Sequence, residues 1–300
     1  MAAIDTVLFD LDGTLLDTAG DMGAALNAVL VERGRTPLPP EVIRPHVSRG
    51  GLALVCLGFG IERGDRRADE LYRRLLAVYA QELTARTRLF PGMDALLARL
   101  DAGNRRYGVV TNKPAFLTEP LLRAMRLDAR MVCVVSGDTL ARRKPHPDQL
   151  LHACEVAGAR VDRAVYIGDD RRDIEAGRAA GMRTLAAAYG YIAPGENPRD
   201  WGASAVVGSV EDIGRWLDGG GGGDGDGGLG EDAGRGIDAG DGDDVDAGCG
   251  RGAGNGGDSG DGRDAGDGGD AGGGRDTGDG DDAGDGDRDR DGTGRNTVNR

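Results

Sequence analysis

Five apolar runs of five or six residues recur along the chain: Thr6 to Asp10 (TVLFD), Tyr107 to Thr111 (YGVVT), Met131 to Ser136 (MVCVVS), Ala164 to Gly168 (AVYIG) and Thr184 to Ala188 (TLAAA). They are continuously apolar or rich in β-branched residues rather than alternating, which is the signature of strands buried on both faces of a parallel sheet. Helical periodicity fills the gaps, over residues 94–100, 115–125, 148–157 and 173–180. Gly158 and Gly181 follow two of these stretches, where a left-handed cap favours glycine. Strand and helix in alternation predict an α/β core with helices on both faces of the sheet.

One interval departs from this rhythm. Between Asp17 and about Arg86 only helical patterns occur, notably Met22 to Val31 and Glu70 to Leu83. The expectation is a helical insertion, a cap over residues 17–86, with residues 1–16 and 87–218 forming the core. Active sites of open parallel sheets lie at the carboxyl ends of the strands, so an insertion rooted there would act as a lid. From residue 219 to 300 periodicity stops. Gly-Asp pairs dominate, apolar residues are nearly absent, and a disordered tail is expected because so little surface can be buried.

Charge separates the same two parts. The tail carries 33 Gly, 21 Asp, one Glu and 8 Arg, which accounts for the whole net charge of −14. The remaining body is neutral and long enough for a sizeable core. Its lack of Lys/Arg-rich runs gives no electrostatic footprint for nucleic acid. No apolar run approaches the roughly 20 residues that span a bilayer, and Asp5, Asp10 and Asp12 interrupt the first apolar stretch, so neither a membrane span nor an export signal is expected. Cys56, Cys133, Cys154 and Cys249 form no CxxC pair, which argues against a disulfide framework or a zinc site and for a cytoplasmic protein. An acidic arm for a basic partner is the alternative reading of the tail.

Candidate chemistry concentrates at strand ends. Asp10 and Asp12 in Phe9 to Asp17 (FDLDGTLLD) fall on the same side by the strand's period of two, and Gly13 permits a sharp exit. Two crowded carboxylates need a cation or a proton between them. Thr111, followed by Asn112 and Lys113, offers a hydroxyl and backbone amides to phosphate oxygens. Lys144, in Arg143 to Pro147 (RKPHP), supplies a fixed positive charge, and Gly168 to Asp173 (GDDRRD) adds Asp169, Asp170 and Asp173. A few carboxylates plus phosphate oxygens and water are what Mg²⁺ prefers.

These motifs resemble the four signature motifs of the haloacid dehalogenase superfamily of phosphohydrolases, over nearly all of residues 1–218. The insertion sits where that family's helical C1 cap belongs, on a Rossmann-like core. The stretches 108–114, 168–174 and 189–202 look most like its phosphoglycolate phosphatase group, and particularly the N-acetylmuramate 6-phosphate phosphatase branch. The resemblance implies Asp10 as nucleophile and Asp12 as general acid and base. It implies Mg²⁺ held by Asp10, the Asp12 carbonyl and Asp169, and phosphate held by Thr111, Asn112 and Lys144. Asp173 would support Lys144 or a metal-bound water, and Asp170 would be a further metal contact. The implied substrate is a small phosphorylated metabolite: N-acetylmuramate 6-phosphate first, 2-phosphoglycolate next, with sugar-phosphate mutase chemistry as the rival reaction. The family has no counterpart of the Gly/Asp tail. Elsewhere, His46 and Arg49 in a segment read as a solvated loop (residues 44–51), His146, His152 and the cysteines are expected to be structural or surface residues.

Overall fold

The computed structural model describes residues 3–219. In chain order the strands are β1 (Thr6–Phe9), β2 (Leu16–Asp17), β3 (Arg88–Leu89), β4 (Arg106–Val110), β5 (Val134–Val135), β6 (Ala164–Gly168), β7 (Arg183–Ala187) and β8 (Ala205–Val207). Six of them form one sheet in the order β5-β4-β1-β6-β7-β8, and every pairing in it is parallel. The expected α/β class with a parallel sheet is the observed one. Along β1 the side chains divide by parity: Val7 and Phe9 enter one apolar cluster and Leu8 another, so both faces are covered, and the strand's one polar side chain, the buried Thr6, donates its hydroxyl to Asp5 Oδ1.

The helices are α1 (Ala19–Glu32), α2 (Pro40–Ile43), α3 (Gly51–Phe59), α4 (Ala68–Tyr79), α5 (Met93–Ala102), α6 (Ala115–Ala124), α7 (Asp148–Ala157), α8 (Arg171–Ala179) and α9 (Val210–Asp218). The first four lie between β2 and β3, which pair antiparallel through Leu16 with Leu89 and Asp17 with Arg88. The chain therefore leaves the core for this helical layer and returns beside its own exit. Buried Asp21 secures the return: its carboxylate accepts bonds from the Arg86 and Thr87 amides and from the Thr87 hydroxyl at 2.8–3.1 Å. Among the described residues no helix is long and apolar enough to cross a membrane.

Several local expectations need correction. Residues 44–51 are not a solvated loop: a 3-10 helix spans Arg44–Arg49, Val47 is buried, and Gly51 starts α3. Gly50, at φ 88°, makes the sharp change of direction between them. Helix α4 stops at Tyr79 rather than continuing to Leu83. The third run yields only the two-residue β5. Strand β8 lies outside the five apolar runs, because three residues at a sheet edge leave little pattern to read. The acidic tail, apart from Gly219, lies outside the described residues.

Candidate active site

The registers of β1 set the site. Phe9 stands opposite Val109 of β4 and Ile167 of β6, so the carboxyl ends of three adjacent strands are level. Asp10, Thr111 and Asp169 leave them side by side, and the Asp10 amide donates to the Ile167 carbonyl at 2.8 Å.

Lys144 reaches this rim from the loop before α7. Its ammonium donates to Asp10 Oδ1 at 2.8 Å, pairs with Asp173 Oδ1 at 2.7 Å and donates to the Tyr166 hydroxyl at 2.7 Å. Gln149, wholly buried, keeps that loop in place: its Oε1 accepts from the Lys144 amide and its Nε2 donates to the carbonyls of Thr111 and Ser136. Burial works against the Lys144 cation, but Asp10 and Asp173 outweigh it and raise its pKa above the ordinary lysine value. The ammonium is therefore a fixed charge.

The carboxylates crowd one another. Asp10, Asp169 and Asp173 are all buried and can each present an oxygen within 4.8 Å of the others. Burial pushes Asp10 up to about 7; Lys144 opposes that shift, and Asp173 and Asp12 reinforce it. Asp169 is raised well above the usual carboxylate range, first by burial and then by Asp10 and Asp173. Asp169 is held by Thr14 Oγ1 at 3.1 Å, Ser48 Oγ at 2.6 Å and the Tyr191 amide at 2.8 Å. Gly13 and Gly190 press against it so closely that a Cβ at either would collide with its side chain. An all-oxygen donor set with excess buried negative charge fits a hard divalent cation such as Mg²⁺.

Asp12 lines the same cavity but stands outside the three-carboxylate cluster. Its Oδ1 accepts from Thr18 Oγ1 at 2.6 Å and from Lys113 Nζ at 2.9 Å, and its carbonyl lies 3.3 Å from Ser48 Oγ. Thr111 is 2 % exposed, and its hydroxyl accepts the Lys113 amide, leaving its own proton free to donate. Asn112 turns its Nδ2 to the Lys144 carbonyl at 3.1 Å. Asp170 stands apart from the three-carboxylate cluster. It caps α8 and is engaged by Arg172 through the amide, Nε and Nη2. That engagement outweighs its burial and lowers its pKa.

A cavity of about 160 Å³ opens over these groups, with Asp10, Asp12, Thr111, Asn112, Lys144 and Asp173 on its wall. The helical layer roofs it with Val47, Ser48, Arg49, Tyr72, Leu76 and Tyr79. Arg49 lies on that wall and pairs with Glu196. Sequence reading assigned no part to Lys113, Ser48, Tyr79, Tyr166 or Arg172. The lysine of TNK was visible, but its direction was not, and Ser48 matters only because the helical layer docks on the rim.

Comparison with known proteins gives relatives in sequence and in fold. A family model described as haloacid dehalogenase-like hydrolase matches residues 7–187. An N-acetylmuramic acid 6-phosphate phosphatase of Pseudomonas putida is 39% identical over 212 residues, covering 71% of this chain and 95% of the relative. A phosphoglycolate phosphatase of Xylella fastidiosa is 42% identical over 202 residues, covering 67% and 88%. The crystal structure of a predicted phosphoglycolate phosphatase from Haemophilus somnus superposes with a TM-score of 0.64 at 24% identity, covering 72% of this chain and 98% of that one, a likeness of fold.

Proposed function

The chain belongs to the haloacid dehalogenase-like hydrolases and is a phosphatase, and we propose that it is a Mg²⁺-dependent phosphomonoesterase working through an aspartyl-phosphate on Asp10. The observation that carries this reading is the meeting of Asp10, Lys144, Asp169 and Asp173 at one buried point beside a cavity that also exposes Asp12. Asp10, Asp169 and the Asp12 carbonyl would hold the cation. When bound, Mg²⁺ supplies the positive charge that lets a carboxylate approach a phosphate and offsets charge on the transferring group.

The side chains divide the chemistry. An Asp10 oxygen attacks phosphorus, the P–O bond to the alcohol breaks, and Asp12 gives the departing oxygen its proton. Asp12, now ionised, takes a proton from water as that water attacks the same phosphorus; the phosphate leaves and the Asp10 carboxylate is restored. Thr111 and Lys144 bind phosphoryl oxygens, with backbone amides near Leu11 to Gly13 and at Asn112 beside them. Asp173, with Tyr166, keeps Lys144 aimed at the phosphate rather than at Asp10 alone. Asp170 serves α8 and Arg172 and takes no part in holding the cation. The helical layer closes over substrate and excludes bulk water.

The substrate read as first choice is N-acetylmuramate 6-phosphate. The Pseudomonas putida relative, matched over 95% of its length, supports it. So does a wall that mixes Tyr72, Leu76 and Leu117 with Arg63 and Arg143, suited to a sugar ring carrying a carboxylate. The phosphoglycolate phosphatase relatives make 2-phosphoglycolate the second reading. The test is release of inorganic phosphate from both esters and from a hexose 1-phosphate, with Mg²⁺, beside an Asp10→Asn variant. We expect the muramate ester to give the highest kcat/KM and the variant to lose nearly all turnover. Interconverted sugar phosphates without free phosphate would identify a mutase instead.

A further inference from the structure

Lys113 is a buried lysine for which the chemistry above has no use. Its side chain is 4% exposed, and the residue borders the cavity beside Asp12. It donates to Asp12 Oδ1 at 2.9 Å and to the hydroxyl of Tyr79, the last residue of α4, at 3.0 Å, with the ammonium 4.4 Å from the Tyr79 ring centroid. Burial opposes the charge; Asp12 and Tyr79 more than restore it, so the pKa of Lys113 is raised. Its backbone is pinned as well: its amide donates to Thr111 Oγ1 and its carbonyl accepts from the Gly137 amide at 2.8 Å.

The two oxygens of Asp12 are treated differently. Oδ1 receives both Thr18 and Lys113, whereas Oδ2 has no hydrogen-bond partner among the described residues. We propose that Lys113 is a positioning residue for the acid/base Asp12: it clamps Oδ1 so that Oδ2 points to the leaving oxygen, and Tyr79 ties that clamp to the helical layer. The proposal rests on the assignment of Asp12 as acid and base. A general acid acts only from within hydrogen-bond reach of the atom it protonates, and small misplacements are costly. Lys113 borders the cavity, yet its side chain is buried and two of its three N–H groups are taken by Asp12 and Tyr79.

The experiment compares first-turnover rates with an alkyl phosphate (2-phosphoglycolate) and with p-nitrophenyl phosphate, whose leaving group needs no proton. Wild type, Asp12→Asn, Lys113→Met and Tyr79→Phe are measured after thermal melting confirms folding. Asp12→Asn sets the contrast that loss of the acid produces. Lys113→Met should slow the alkyl ester about 10- to 100-fold and p-nitrophenyl phosphate by no more than about threefold, with KM for the alkyl ester unchanged. Tyr79→Phe retains the ring and should give the same selectivity with a smaller loss, about 3- to 10-fold, so a Lys113→Met variant that fails to fold still leaves a decisive measurement. Equal losses on both esters, or a rise in KM alone, would overturn the proposal and make the residue a structural or substrate-binding cation. Should Asp12→Asn itself show no leaving-group contrast, the assignment of Asp12 fails, and the role of Lys113 falls with it.

Discussion

Raising the pH from 5.5 to 8 without a divalent cation should destabilise this protein, and Mg²⁺ should reverse the loss mainly at the higher pH. Asp10 has a folded-state pKa of about 7 against a reference of 3.8. The folded state therefore binds the proton more tightly than the unfolded chain. Stability from this group falls as pH rises from about 4 to about 7 and stays level above. At about 1.4 kcal/mol per pKa unit, the ionised carboxylate costs the fold on the order of 4 kcal/mol at pH 8. A cation held at about 100 times its Kd returns roughly 2.7 kcal/mol, or about 5–11 °C in Tm for a domain of this size. At pH 5.5 the cation must first displace the Asp10 proton, at about 2 kcal/mol, and the shift should shrink to roughly 2–3 °C. Thermal melts at both pH values, with EDTA or Mg²⁺, measure this directly. Asp169→Asn, with one carboxylate fewer in the cluster, should melt higher than wild type in EDTA at pH 8 and respond little to Mg²⁺. Equal Mg²⁺ shifts at both pH values, or none at either, would refute the account of a cluster strained by its own charge.

Lys144→Met leaves Asp10 and Asp173 buried without their shared cation, and should cost about 3–5 kcal/mol in denaturant melts at pH 8. Gly13→Ala combines a φ of 91° with a Cβ driven into Asp169; kcat should fall steeply while the melting temperature changes by only a few degrees. Removing residues 220–300 should leave kcat/KM unchanged in the phosphate-release assay, because among the described residues the cavity wall is drawn from residues 10–173.

Much of the core was legible because burial on both faces removes polar residues from central strands. β1, β4, β6 and β7 therefore announce themselves, β5 announces itself at more than its true length, and the three-residue edge strand β8 leaves little pattern. Asp10 and Asp169 were readable as strand-end residues and Lys144 and Asp173 from the motifs that hold them, and the structure brings the four together. Asp170 and Asp173 stand at N-cap and N3 of α8, a capping-box spacing readable in the sequence that ties both carboxylates to the first turn of the helix; the further bonds from Arg172 to Asp170 were readable only as proximity in the chain. Lys113 and Ser48 could not be assigned from the sequence, because each acquires its meaning from a partner 101 or 36 residues away across a docked surface.

The order of the sheet has a consequence for how the molecule can change. Asp10, the proposed nucleophile, follows the middle strand β1, and Thr111 and Asp169 follow its immediate neighbours β4 and β6. β5 and β8 lie one and two strands further out. Tolerance to substitution should therefore be graded sideways, least along the central three strands and greatest at the two margins, where descendants of this chain are free to lengthen, lose or recruit strands without disturbing the reaction.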